Sequence, residues 1–81
     1  MFFNTVMKTY YKFAIMDGIT GDKKWCAIDT YVNGFLISST DKEFKSTFYG
    51  KSLSELYPFA AKSFSYSYEQ ISEQEAFIEL L

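Results

Sequence analysis

The sequence predicts a small α+β domain: an antiparallel sheet of three to five strands built on a hairpin at residues 25–38, packed against one or two C-terminal helices. Three observations carry this reading. The stretch WCAIDTYVNGFLIS sets Asn33-Gly34 between two runs of strand-favouring residues, and that dipeptide most readily supplies the two positive φ angles of a type I′ turn. Ser52-Leu53-Ser54-Glu55 and Ser72-Glu73-Gln74-Glu75 are capping boxes ahead of apolar series, so a helix is expected after each. No linker, repeat or low-complexity run divides the 81 residues, a length that makes one domain.

Taken in order, residues 3–16 read as a strand. From Thr9 the alternation puts Tyr11, Phe13 and Ile15 on one face and Tyr10, Lys12, Ala14 and Met16 on the other. Asp17, Gly18, Gly21 and Asp22 then give a reversing loop. The first hairpin strand points Trp25, Ala27, Asp29 and Tyr31 one way and Cys26, Ile28, Thr30 and Val32 the other, and the second set is expected to face the core. Residues 35–39 return from the turn. Residues 43–49 alternate Phe44, Ser46 and Phe48 with Lys45, Thr47 and Tyr49 and are expected to form a further strand, since Phe, Thr and Tyr are poor helix formers; Thr40 with Glu43 is a capping box that would start a helix instead.

Beyond Gly50, the residues Leu53, Leu56, Tyr57, Ala60, Ala61 and Phe64 make one stripe of an amphipathic helix. Pro58 inside that helix removes a hydrogen bond at a cost of about 3 kcal/mol, which favours a start at Ser54 or later. Phe64-Ser65-Tyr66-Ser67-Tyr68 alternates with a strand period, an exposed aromatic loop being the alternative. After Ser72 a short helix closes the chain, with Ile71 placed to staple against Ala76 and with Phe77, Leu80 and Leu81 as its apolar side.

Composition excludes several functions. Histidine is absent, so the usual general base and every Ser-His-Asp or Cys-His arrangement are missing. Cys26 is the only cysteine; it forms no internal disulfide or metal cluster, and in a central strand it is expected to be a buried, inert thiol. The acid pairs Asp17 with Asp22, Asp41 with Glu43, and Glu73 with Glu75 read as solvated turn and helix residues rather than a catalytic cleft. Gly50-Lys51-Ser52 resembles the end of a phosphate loop, but Lys45 stands where the loop needs glycine. Accordingly no enzyme, cofactor or metal is expected. All eight basic residues are lysine and the net charge is −2, which argues against direct nucleic-acid binding. The N-terminus has neither a basic leader nor a long apolar run, so no membrane span is expected, and a reducing, cytoplasmic setting fits the lone cysteine.

What remains is surface. Aromatic residues are 21% of the chain, more large rings than a domain of this size can hide, so some are expected to be exposed. Trp25 and Tyr31 on the outward side of the hairpin, together with Tyr66 and Tyr68, are the candidate anchors. Residues 52–81 carry five glutamates against Lys62, and Glu69, Glu73 and Glu75 are the candidate acidic contacts for a larger basic protein complex. A homodimer or other small homo-oligomer, with the aromatic excess buried against its own copy, is the second reading.

In size, acidity, lack of arginine and aromatic surplus, the whole chain resembles the small phage-encoded anti-defence proteins, anti-CRISPR proteins in particular. The resemblance implies an inhibitor acting in the host-cell cytoplasm. It would block a CRISPR effector by covering a basic nucleic-acid channel or by preventing a conformational step.

Overall fold

The computed structural model describes residues 7–60 and 66–80. The elements run β1 (Lys8–Met16), β2 (Lys23–Val32), β3 (Phe35–Ser39), α1 (Lys42–Phe48), α2 (Leu53–Ala60), β4 (Tyr66–Ile71) and α3 (Glu73–Leu80). The strands form a four-stranded antiparallel sheet in the order β3-β2-β1-β4, the α+β architecture expected. The start of the predicted first strand, and Phe64 and Ser65 of the predicted 64–68 strand, lie outside the described residues.

The hairpin forms as its turn chemistry dictates. Asn33 and Gly34 take φ of 52° and 86°, and Val32 pairs with Phe35. Asn33 also ties the turn to β1: its N–H donates to the Met7 carbonyl at 2.8 Å, and its Oδ1 accepts from the Met7 N–H at 3.1 Å. On the far side of β3, the Leu36 N–H donates to the Lys51 carbonyl and the Gly50 N–H to the Leu36 carbonyl, so residues 50–53 seal that sheet edge.

In-register partners share a face of the sheet. Tyr11 stands between Asp29 and Gln70, Phe13 between Ala27 and Tyr68, and Ile15 between Trp25 and Tyr66. The core gathers on this face: Tyr11, Tyr31, Leu36, Leu56 and Tyr68 are buried together, with Phe13, Phe44, Phe48, Leu53 and Tyr66 packed around them. The expected orientation of β2 is thus corrected. Tyr31 and Asp29 point into the main core, while Cys26 on the opposite face is exposed. On that second face α3 packs against β1 and β2 with Ala76 buried, and the Lys12 ammonium pairs with the Glu79 carboxylate.

Residues 42–48 form a helix and not the expected strand. The cap is Asp41, one residue after the Thr40 that the capping box suggested, and its Oδ1 accepts from the Phe44 N–H at 2.8 Å. Phe44 and Phe48, one helical turn apart, then meet at a ring separation of 4.8 Å, and Phe44 lies 6.2 Å from the Phe13 ring. The rings that α1 packs on the core are only half-buried, so its cap matters to its stability as well. Asp41→Ala is expected to cost about 1 kcal/mol, read as a lower midpoint in urea with unchanged slope.

The helix α2 begins at Leu53, before the expected start, and runs through Pro58. Glu55 anchors its first turn by accepting from the Ser52 N–H at 3.2 Å, and Leu53 binds the hairpin through its N–H to the Gly34 carbonyl at 2.8 Å. These contacts and the burial of Leu56 oppose the lost proline hydrogen bond. At α3 Ser72 caps the helix as read, with the Glu75 N–H donating to Ser72 Oγ at 3.1 Å, while the Glu75 carboxylate reaches back to the Ser72 hydroxyl at 3.4 Å.

Candidate functional site

Two of the four nominated aromatic anchors are interior. Tyr31 is 0% and Tyr68 4% exposed, because β2 and β4 turn these residues inward on the face that α1 and α2 cover. They are corrected from surface anchors to core. Tyr68 is the hub: its ring stacks on Tyr11 at 5.2 Å and meets Phe13 edge-on at 5.8 Å. Its hydroxyl donates to Asp29 Oδ2 at 2.6 Å. Having one proton to give, Tyr68 then accepts from the Tyr31 hydroxyl at 2.5 Å, so the chain of donors runs Tyr31 to Tyr68 to Asp29.

Asp29 is the buried charged residue of this face, at 0% exposure, and its Oδ1 has no hydrogen-bond partner among the described residues. Burial pushes its carboxyl above the usual aspartate range; the Ser39 and Tyr68 hydroxyls oppose this, and nearby Asp41 adds to it. Burial likewise pushes the Tyr31 phenol up to about 12 and the Tyr68 phenol further, so both are neutral donors at physiological pH.

The other two anchors come together. Trp25, Ile15 and Tyr66 form a row across β2, β1 and β4 near the end of the sheet where the 17–22 loop lies. Trp25 and Ile15 are each 39% exposed and Tyr66 is half-buried. Phe13 backs the row from the next register position, its ring 5.8 Å from Trp25 and 5.4 Å from Tyr66. The rings are therefore held by the sheet from below and by one another, which lowers the side-chain entropy lost when a partner covers them. Beyond the row, Ile19 is 97% exposed in a turn fixed by Asp17 Oδ1, which accepts from the Ile19 and Thr20 N–H groups.

Glu69, Glu73 and Glu75 are all exposed. They do not rim the aromatic row: Ile15 to Tyr10 on β1 spans the paired length of β4, roughly 16 Å, and Glu73 and Glu75 lie past its far end, in the first turn of α3. Glu69, opposite Lys12, sits between the two.

Cys26 is exposed, with Sγ 4.0 Å from Glu79 Oε2, because the strand turns it away from the aromatic core. Among the described residues no group of three or more Cys, Asp or Glu side chains could hold a metal ion, and no helix is long and apolar enough to cross a membrane. A cleft of about 630 Å³ at the opposite end of the core face is lined by Tyr11, Phe35, Leu53, Ser52, Ser54 and Gln70 among others, with no carboxylate or ammonium group.

Sequence reasoning passed over Ile15 and Asp29. Ile15 ends an alternating run just before a turn, the position where an inward-pattern residue outlasts the helices that would cover it. The signal for Asp29 was its parity with Tyr31. No protein-family model, curated protein or solved structure matches the chain. The fold and this surface define a small α+β domain with an exposed aromatic face.

Proposed function

We propose that the protein is a non-enzymatic, cytoplasmic inhibitor that works by occupying a surface of a larger protein, as the anti-CRISPR proteins it resembles do. What supports this is the row of Trp25, Ile15 and Tyr66: large apolar side chains left partly open on the sheet and backed by Phe13. Glu69, Glu73 and Glu75, separated from the row, serve as long-range steering charges toward a basic effector.

The test is inhibition of CRISPR effector cleavage together with capture of the effector by tagged protein. Trp25→Ser is expected to weaken capture by at least roughly tenfold, since a central aromatic anchor is commonly worth 2 kcal/mol or more. Charge reversal at Glu69, Glu73 and Glu75 should lower the association rate at low salt and have little effect at high salt. Unchanged cleavage across effector types would retire the anti-CRISPR assignment, and full capture by the Trp25 variant would retire the aromatic row.

A further inference from the structure

The sheet edges are not equally closed. Residues 50–53 seal β3, and at the middle of β4 Tyr68 is only 4% exposed. The strand β2 is different, because β3 is shorter than it. Pairing with β3 covers Asp29–Val32, and Thr40 extends it by one residue, donating its N–H to the Ile28 carbonyl and accepting the Ile28 N–H on Oγ1. From there to Lys23, no described strand lies on that side of β2.

The ladder shows which groups are left. The Asn33 N–H donates to the Met7 carbonyl, so Tyr31, Asp29, Ala27 and Trp25 bond inward to β1, and the alternate residues face outward. Ile28, bonded to Thr40, confirms the alternation. Cys26 is the next outward residue. It is exposed, and among the described residues its backbone joins no pairing on the β3 side. On one side of this open edge stands Trp25. On the other stands the exposed Lys23, brought round to pair with Met16 by a bulge that skips Lys24.

Charge selects the occupant. The Lys12 ammonium is taken up by Glu79 and stands opposite Glu69, which leaves the exposed Lys23 as the cation beside the open edge; Lys12 holds the Lys23 amine below its ordinary value, with Glu79 opposing. A second copy of this chain suits the edge poorly, because KKWCA at residues 23–27 would bring two more lysines and no acid.

We infer that the open edge of β2 at residues 23–27 accepts an extended acidic segment of the protein partner as an added strand, its main chain pairing with Cys26 and a carboxylate meeting Lys23. This rests on the protein-binding reading above and adds the chemistry of the partner segment. Main-chain pairing supplies affinity, Trp25 packs on the added strand, and Lys23 sets its charge preference.

The test is amide hydrogen exchange on the full chain with two synthetic strand peptides of about ten residues, one alternating Thr with Glu and one Thr with Lys. The Glu peptide is expected to slow exchange at Cys26 by about tenfold or more, with Leu36 unchanged, and to lose this effect in high salt or in Lys23→Glu. Equal slowing by both peptides, or none by either, overturns the proposal; slowing at Cys26 in concentrated protein without peptide assigns the edge to a second copy and also overturns it. The two readings fail separately. Loss of effector capture in Trp25→Ser with Cys26 unprotected leaves the protein-binding function and removes the added strand, whereas a protected Cys26 without effector capture does the reverse.

Discussion

Tyr68→Ala is expected to leave the chain largely unfolded. Truncating a buried aromatic costs about 3–5 kcal/mol, and here the ring also supports Tyr11, Phe13 and Tyr31 at once. Removing its hydroxyl leaves Asp29 with neither oxygen bonded to a phenol, for about 1–3 kcal/mol more. A chain of this length has roughly 4–12 kcal/mol to lose. Circular dichroism and denaturant titration check this. Tyr68→Phe separates the contributions, keeping the ring contacts and losing the hydroxyl alone, and should fold with reduced stability. A native-like melt for the alanine variant would show that the aromatic cluster is not held by this ring.

The second large effect concerns Asp29. Its carboxyl is raised above the ordinary value by burial, so as pH rises the unfolded chain releases this proton first. Over the interval between the two values the folded state holds more protons, and stability falls with rising pH. Asp29 therefore contributes most below its unfolded value and loses that contribution as pH rises through its folded value. Asp29→Asn lacks this loss. Relative to the original chain it is expected to gain stability between acidic and neutral pH, measured as the difference in urea midpoints at each pH. A difference that does not change with pH would mean that the carboxyl titrates in the fold as it does in the unfolded chain.

Both predictions concern residues that hydropathy ranks low, and this is where the sequence was least legible. Asn33-Gly34 announced its own conformation, because few other dipeptides take two positive φ angles, and the capping box at Ser72 was equally local. The face assignment of β1 followed from alternation alone. On β2 alternation gave the two sets but not their destinations: Ile28 is buried on one face, while Asp29 and Tyr31 enter the larger core on the other because Tyr68, distant in sequence, supplies the hydroxyl that makes this tolerable. A tertiary hydrogen bond of that kind leaves no local mark. In α1 the local marks conflicted, since the alternation of Phe44 and Phe48 also satisfies a one-turn helical spacing. The Asp41 cap and the rings of β1 decided between them.

The candidate surface was legible in part for the same reason. Trp25 and Tyr66 were nominated as exposed rings, yet only the β1 register shows that Ile15 joins them into one row and that Glu73 and Glu75 lie elsewhere.

The sheet order has a consequence for how the chain reaches this state. β1 is a central strand whose second neighbour arrives last: Tyr11 and Gln70, side by side in the fold, are 59 residues apart in sequence. On a ribosome, the β1–β2–β3 meander can assemble while Tyr11 and Phe13 still lack the strand that covers them. Loop closure over that distance slows the final step and makes the nascent meander, rather than the finished domain, the species most exposed to misassociation.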